Sequence, residues 1–268
     1  MLVSILLEGT LPFFYSPTIY PFCASYSGRI QKIMLKHLRS LTSRDLLVKR
    51  TNVFLKDFSI ELLVVAGFFL TSLWLFYFLV HLVILGKGDF IDASAFRLFD
   101  HYISPVHTRL AISVTFFGTG SFLIPSYLLI VTFFIRKNCL KYALMVSVMA
   151  VSSLLLGWLL KELFHRPRPL HPLISGAGGY SFPSGHALGG FVFSGVILCL
   201  VWLTKRNTWI KTVLSIPIVL FGFMIGLSRI YLHVHYATDV MGSLFATFIW
   251  FSIFYILYCL IYRSTKLE

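Results

Sequence analysis

The chain has 268 residues, of which 57% are hydrophobic and 12% charged, with a mean hydropathy of +0.84. This balance excludes a water-soluble domain, because too few polar groups are present to cover its surface. The formal charge of +13 does not point to nucleic acid, since the basic residues are scattered between apolar runs instead of gathered on one face, and anionic lipid headgroups are the expected partners.

Residues 1–28 are apolar but broken by Pro12, Pro17 and Pro21, with no basic start and no small-residue cleavage site. Neither a signal peptide nor a span is read there. Met34 offers an alternative start, since every apolar span follows it. Arg29, Lys32, Lys36, Arg39, Arg44, Lys49, Arg50 and Lys56 make residues 1–59 a basic N-terminal region. A membrane domain at 60–262 then carries six nearly uncharged stretches, 62–85, 110–135, 142–160, 187–203, 212–228 and 240–262, and a short tail follows at 263–268. Each stretch is expected to cross about 30 Å of hydrocarbon as a helix, the fourth and fifth with the help of flanking residues. Pro125 and Pro217 are expected to kink their helices without ending them. The predicted fold is all-α, a polytopic membrane helical bundle of about six transmembrane helices.

Short basic loops are retained in the cytoplasm. Arg136, Lys137, Lys141, Lys205, Arg206, Lys211, Arg263 and Lys266 therefore join the N-terminal region on the cytoplasmic side, and both termini face inward. The opposite side carries Lys87, Arg97 and Arg109 near Asp89, Asp92 and Asp100. Residues 87–108 are expected as an interfacial loop or short amphipathic helix, with Asp92, Asp100, His101 and His107 as solvated or capping groups. Cys23, Cys139, Cys199 and Cys259 lie far apart, without disulfide or metal-ligand spacing, and are read as inert packing residues. Trp74, Trp158, Trp202, Trp209 and Trp250 are read mostly as lipid-facing and interfacial anchors.

Two polar loops on the non-cytoplasmic side hold the chemistry. The first runs from Lys161 through Arg168 to Pro183-Ser184-Gly185-His186, and the second from Ser228-Arg229 through His235 to Asp239. Lys161, Arg168 and Arg229 provide three cations at span ends, suited to the oxygens of a multiply charged anion. Ser184 and Gly185 precede a helix starting near His186, so a hydroxyl and backbone amides would meet the same anion where the helix dipole favours negative charge. His235 and Asp239, four apart, share a face if the sixth helix begins there; the carboxylate then holds one ring nitrogen and leaves the other free as nucleophile. His186 becomes the candidate acid.

Lys161-x6-Arg168-Pro169, Pro183-Ser184-Gly185-His186 and Ser228-Arg229-x5-His235-x3-Asp239, in that order within residues 60–262, resemble the three motifs of the type 2 phosphatidic acid phosphatase and vanadium haloperoxidase superfamily, in its membrane-bound lipid phosphatase branch. The resemblance implies that His235 attacks phosphorus to form a phosphohistidine, that Asp239 orients it, and that His186 protonates the leaving oxygen and later activates water. It implies that Lys161, Arg168, Ser184, Gly185 and Arg229 bind the phosphoryl oxygens, with no metal and no cofactor. The implied substrate is a lipid phosphate or diphosphate; undecaprenyl diphosphate, phosphatidylglycerol phosphate and phosphatidic acid are all compatible. The compact chain and short loops favour undecaprenyl diphosphate in a bacterial cytoplasmic membrane, with the site facing the periplasm or exterior.

Taken singly, each of these residues has a plainer reading: a basic residue at a helix end snorkels to the headgroups, and a lone histidine there is a packing residue. It is their joint order that favours catalysis. A lipid phosphotransferase would pass the same phosphohistidine to an acceptor hydroxyl, and the motifs do not separate it from a phosphatase. A vanadium-dependent haloperoxidase shares the cradle but resembles soluble proteins. A transporter is disfavoured because the charges gather at span ends on one side, without a pair of interrupted helices. Arg166 and His171 fall outside the motif positions, so Arg166 is expected at the rim or on a lipid phosphate and His171 in a loop; the spacing selects His235 over His233. Gly176–Tyr180 lacks nucleotide-loop spacing and is expected as a flexible lip over the site.

Overall fold

The computed structural model describes residues 44–86 and 88–264, with side chains at 60–86 and 88–259. The apolar segment 1–28, the start at Met34, Arg29, Lys32, Lys36, Arg39, Cys23, Lys87 and Lys266 lie outside the described residues. Among the described residues there are eight α-helices and no strand: α1 Arg44–Ile84, α2 Asp89–Asp100, α3 Pro105–Phe116, α4 Gly120–Arg136, α5 Leu140–Phe164, α6 Gly185–Leu203, α7 Thr208–Tyr231 and α8 Ala237–Ser264. The chain divides between Gly67 and Phe68, inside α1, into two compact units. The first contributes residues 44–67, the N-terminal part of α1; the second, from Phe68 onward, carries everything below.

Six segments are long and apolar enough to cross a membrane: Ile60–Ile84, Pro105–Arg136, Leu140–Phe164, Gly185–Leu203, Thr208–Tyr231 and Ala237–Cys259. They match the six expected spans, and Pro125 and Pro217 sit inside α4 and α7 without ending them. The second span differs from expectation in being two helices, with a break at Phe117-Gly118-Thr119. Close packing accounts for the position. A Cβ at Gly118 would stand 2.9 Å from the His186 carbonyl oxygen and 2.8 Å from Ile225 Cγ2, so only glycine lets this turn lie against the start of α6.

Helix α6 lies at the centre, packed on α5, α7 and α8, while α4 packs on α5 and α3 on α7. Without water to drive association, membrane helices gain by close contact through small residues. At Gly190 the α6 backbone approaches Ile225 of α7, where a Cβ would meet its Cδ1 at 3.0 Å. Residues 89–100 form the expected amphipathic helix. Its apolar side, Ile91, Ala95, Phe96 and Phe99, covers a buried cluster of Ala187, Phe191, Ile230, Ala237 and Val240. Thus α2 sits on the ends of α6, α7 and α8 where the polar motifs emerge.

Cys139 and Cys199 form no disulfide among the described residues. Trp74, Trp158 and Trp209 are exposed on the bundle, whereas Trp202 is buried and donates from Nε1 to Ser215 Oγ at 3.0 Å, so it is a packing residue and not an anchor.

Candidate active site

The antiparallel run of α5 through α8 brings four helix ends to one end of the bundle. Lys161 lies in the last turn of α5, Ser184 is the N-cap of α6 with Gly185 and His186 in its first turn, Arg229 is in the last turn of α7, and Asp239 is in the first turn of α8. Arg168 and His235 lie on the intervening loops.

His235 does not share a helix with Asp239 as expected, because α8 begins only at Ala237. The pair meets nonetheless through capping. Asp239 reaches back so that its Oδ2 accepts from the Tyr236 backbone N at 2.9 Å, one arm of a capping box. That leaves His235 Nδ1 3.4 Å from Oδ2. Ser181 Oγ donates to the same oxygen at 2.5 Å and lies 3.3 Å from Nδ1. Ser181 was not singled out from the sequence, where nothing distinguishes it from the neighbouring serines; only the fold brings it to the pair.

On the other side of the ring, Arg168 Nη1 lies 3.1 Å from His235 Nε2. A guanidinium only donates, so Nε2 is the acceptor and the ring proton sits on Nδ1, toward Asp239 and Ser181. His235 is 1% exposed, and burial above all, with Arg168 and Arg229 adding to it against the pull of Asp239, lowers its pKa to about 4. The ring is therefore neutral near pH 7, with a lone pair on Nε2.

The cations surround this nitrogen. Besides His235, Arg168 donates to the Val234 and Gly179 carbonyls, each at 2.9 Å. Lys161 Nζ donates to the Tyr180 carbonyl at 2.5 Å, and its Cε lies 3.8 Å from where a Gly185 Cβ would stand. Arg229 is buried, donates from Nη1 to Thr115 Oγ1 at 2.8 Å, and has no partner for Nε. Ser184, fully buried, accepts from Ala187 N at 3.4 Å, which leaves its own hydroxyl proton free to donate. His186 follows Ser184 and Gly185 in the first turn of α6, at the same end of the bundle. All eight expected site residues thus converge, and the Gly176–Tyr180 lip is tied to two of the cations through its carbonyls.

Arg166 departs from its expected place at the rim. It is largely buried, donating from Nη1 to Asp239 Oδ1 at 2.6 Å and to Thr238 Oγ1 at 2.7 Å, and from Nη2 to Asp92 Oδ2 at 2.8 Å. Burial works against its charge, but Asp239 and Asp92 together raise its pKa. Asp92 is 3% exposed and so not a solvated group; it is a cap from a distance, accepting from the backbone N of Thr238 at 2.9 Å at the start of α8. His233, set aside in favour of His235, has its Nε2 3.3 Å from Asp100 Oδ1 but makes no hydrogen bond there. Four cations, Lys161, Arg166, Arg168 and Arg229, therefore surround two carboxylates, Asp92 and Asp239, leaving two positive charges in excess. Such a site is built for a dianion.

The family model for the PAP2 superfamily matches residues 141–262. Undecaprenyl-diphosphatase BcrC of Bacillus subtilis is 30% identical over 122 residues, covering 44% of this chain and 58% of that protein. Phosphatidylglycerophosphatase B of the same organism is 32% identical over 137 residues, covering 48% of this chain and 64% of that protein. The matches thus span less than two thirds of either relative. The crystal structure of a transmembrane PAP2 type phosphatidylglycerolphosphate phosphatase from Bacillus subtilis superposes with a TM-score of 0.62 at 25% identity, covering 69% of this chain and 93% of that one. With six apolar spans and membrane-embedded relatives, the chain is an integral membrane protein.

Proposed function

We propose that this chain, which belongs to the PAP2 superfamily, is a membrane lipid phosphatase that hydrolyses a phosphomonoester or diphosphate through a phosphohistidine on His235. The observation that carries the reading is the placement of His235: a neutral ring whose Nδ1 faces Asp239 and whose Nε2 faces Arg168. In the first step the Nε2 lone pair attacks phosphorus, the bond to the leaving oxygen breaks, and His186, which the bound anion holds protonated, gives that oxygen its proton. In the second, water attacks phosphorus, His186 takes a proton from it, and the P–N bond breaks to return the lone pair to Nε2. Asp239 stabilises the positive charge the ring acquires on attack. Arg168, Lys161, Arg229, the Ser184 hydroxyl and the Gly185 amide hold the equatorial oxygens, where charge gathers in the in-line transition state. Protein cations supply the neutralisation, so the mechanism is proposed to run without metal.

The favoured substrate is undecaprenyl diphosphate, supported by the similarity to a B. subtilis undecaprenyl-diphosphatase; phosphatidylglycerol phosphate is second, on the similarity to a phosphatidylglycerophosphatase. The decisive measurement is phosphate release by detergent-purified protein from these lipids and phosphatidic acid, with excess chelator and no added acceptor. Release from undecaprenyl diphosphate, blocked by vanadate, is expected. No release until an acceptor alcohol is supplied would make the protein a phosphotransferase, and activity restored only by Mg²⁺ would end the metal-free scheme.

We place the protein in a bacterial cytoplasmic membrane with the site toward the periplasm or exterior, on the distribution of Lys and Arg. A cysteine introduced at Gly178 is expected to react with an impermeant thiol reagent on intact cells, and one at Asn207 to stay unreacted. The reverse pattern would put the site in the cytoplasm.

A further inference from the structure

Two arginines stand two residues apart on the loop after α5, and only one of them faces the proposed nucleophile. Arg168 reaches His235 Nε2, whereas each amino group of Arg166 takes a carboxylate, Asp239 through Nη1 and Asp92 through Nη2. The guanidinium lies 4.1 Å over the Tyr236 ring, which fixes its plane. Asp92 in turn binds both the backbone N and the hydroxyl of Thr238, the residue before Asp239. The Asp239 carboxylate is thereby divided. Its Oδ1 is held by Arg166, and Oδ2 is left for Ser181, the Tyr236 amide and His235 Nδ1. Turning the carboxylate to release His235 would break the pair with Arg166. A lysine has the charge but not the fork needed to hold two carboxylates in one plane.

We propose that Arg166 and Asp92 are positioning residues for the His235–Asp239 pair, and that α2, through Asp92, is a working part of the site rather than only a lid on the apolar core. The inference rests on the reading of His235 as nucleophile. Packing alone would not require these charges, because Ile91, Phe96 and Phe99 already dock α2 onto the buried cluster. A purely structural pair would cost stability when broken and leave turnover in the surviving protein alone. A positioning pair must lower kcat without altering how the lipid phosphate binds, since neither residue reaches the cluster of Lys161, Arg168 and Arg229.

The test uses Arg166→Ala, Arg166→Lys and Asp92→Asn as full-length proteins in detergent, with the best-turned-over lipid of the panel. Arg166→Ala is expected to lose kcat by about 10–100-fold, the range typical of groups that orient a reactive ligand, with KM within about threefold. Asp92→Asn should lose less. Free guanidinium ion, added at millimolar concentration, should restore part of the Arg166→Ala loss and do nothing for His235→Ala. A kcat within about threefold of wild type, a loss carried in KM, or a loss that guanidinium leaves untouched would overturn the positioning role. So would failure of all three variants to give monodisperse protein, which would make the network structural. An active His235→Ala protein would remove the nucleophile and the positioning role with it. An inactive wild type on every lipid would sink the phosphatase reading instead, and vanadate then decides: a thermal shift on wild type that shrinks in Arg166→Ala upholds positioning, and an equal shift removes it.

Discussion

The two ends of the α6–α7 hairpin both bury cations and treat them in opposite ways. At the end where the chain passes from α6 to α7, Lys211 is 7% exposed and its Nζ donates to the Trp202 carbonyl at 3.1 Å, in the last turn of α6. Trp202 Nε1 donates to Ser215 Oγ, which donates back to the Lys211 carbonyl at 2.8 Å. That loop is closed, with the ammonium set against the negative end of a helix dipole. At the other end, Lys161 and Arg168 hold loop carbonyls, Arg229 holds one threonine hydroxyl, and its Nε is unpartnered. Those cations are bonded to neutral groups that an anion outcompetes. A buried charge completed by its own fold is architecture, and a cluster left in excess over its carboxylates is a binding site awaiting charge.

The largest effect is expected where the open end meets the reaction. His235→Ala should lower turnover by on the order of 10⁴-fold or more, because the covalent intermediate is proposed to form on its Nε2. The protein should still fold, and near-normal turnover would dismiss His235 as nucleophile. His186→Ala should cost about 10²–10⁴-fold, with both steps slowed. A substrate with a very good leaving group should rescue only the first step, so a burst of product followed by slow release is the expected trace. If neither kind of substrate responded to the change, His186 would have no part in proton transfer.

The pH profile sharpens the same point. Burial, with Arg168 and Arg229, keeps His235 neutral down to about pH 4 despite Asp239. Protonation removes the lone pair, so activity should be present above that pH and lost as pH falls through it. Measured as kcat/KM, with the titration of the substrate phosphate divided out, the acid limb belongs to the free enzyme. A limb at the ordinary histidine value of about 6.5 would mean that the ring is not held as described.

The six spans and the gathering of the eight candidate residues at one end were legible because both follow local rules: apolar runs of spanning length, and motif residues placed at helix ends that antiparallel packing must bring to one side. What the sequence hid was every interaction that depends on which helix end faces which. Arg166 has no special spacing, and its role follows from Asp92, which lies 74 residues earlier. Asp92 reads as one more acid in an interfacial segment. Ser181 is one serine among several until the loop delivers it to Asp239. The break in the second span was hidden for a related reason: Pro125 is visible as a perturbation, whereas Gly118 matters only because His186 lies against it.

That contact gives a smaller but telling effect. Gly118→Ala places a methyl within 3.0 Å of both the His186 carbonyl and Ile225 Cγ2, so backbone must move. Overpacking of this kind costs about 1–3 kcal/mol, and since the element displaced carries His186, turnover should fall by about tenfold, as for other misplaced catalytic groups. Gly178→Ala is the control, since nothing lies within 4 Å of its added Cβ. Equal activity for the two variants would show that the broken helix does not support His186.

The smallest effect on turnover is expected at the closed end. Lys211→Met keeps the length of the side chain and removes the ammonium, which leaves the Trp202 carbonyl without the donor that now caps it. A buried carbonyl stripped of its partner costs about 1–3 kcal/mol, partly offset because a buried charge no longer has to be kept from water. The expected result is a lower temperature of half-inactivation in detergent, with kcat and KM both within about twofold of wild type, as for a change that touches no part of the transition state. The contrast with Arg229 makes the measurement informative. Arg229 is also a buried cation on α7, at its opposite end, yet Arg229→Met should cost turnover by about 10²–10³-fold, the loss expected when one donor to the transition-state oxygens is removed. If Lys211→Met slowed turnover as much as Arg229→Met, the difference between a completed charge and a waiting one would not hold, and charge balance along the whole of α7 would have to be part of the chemistry.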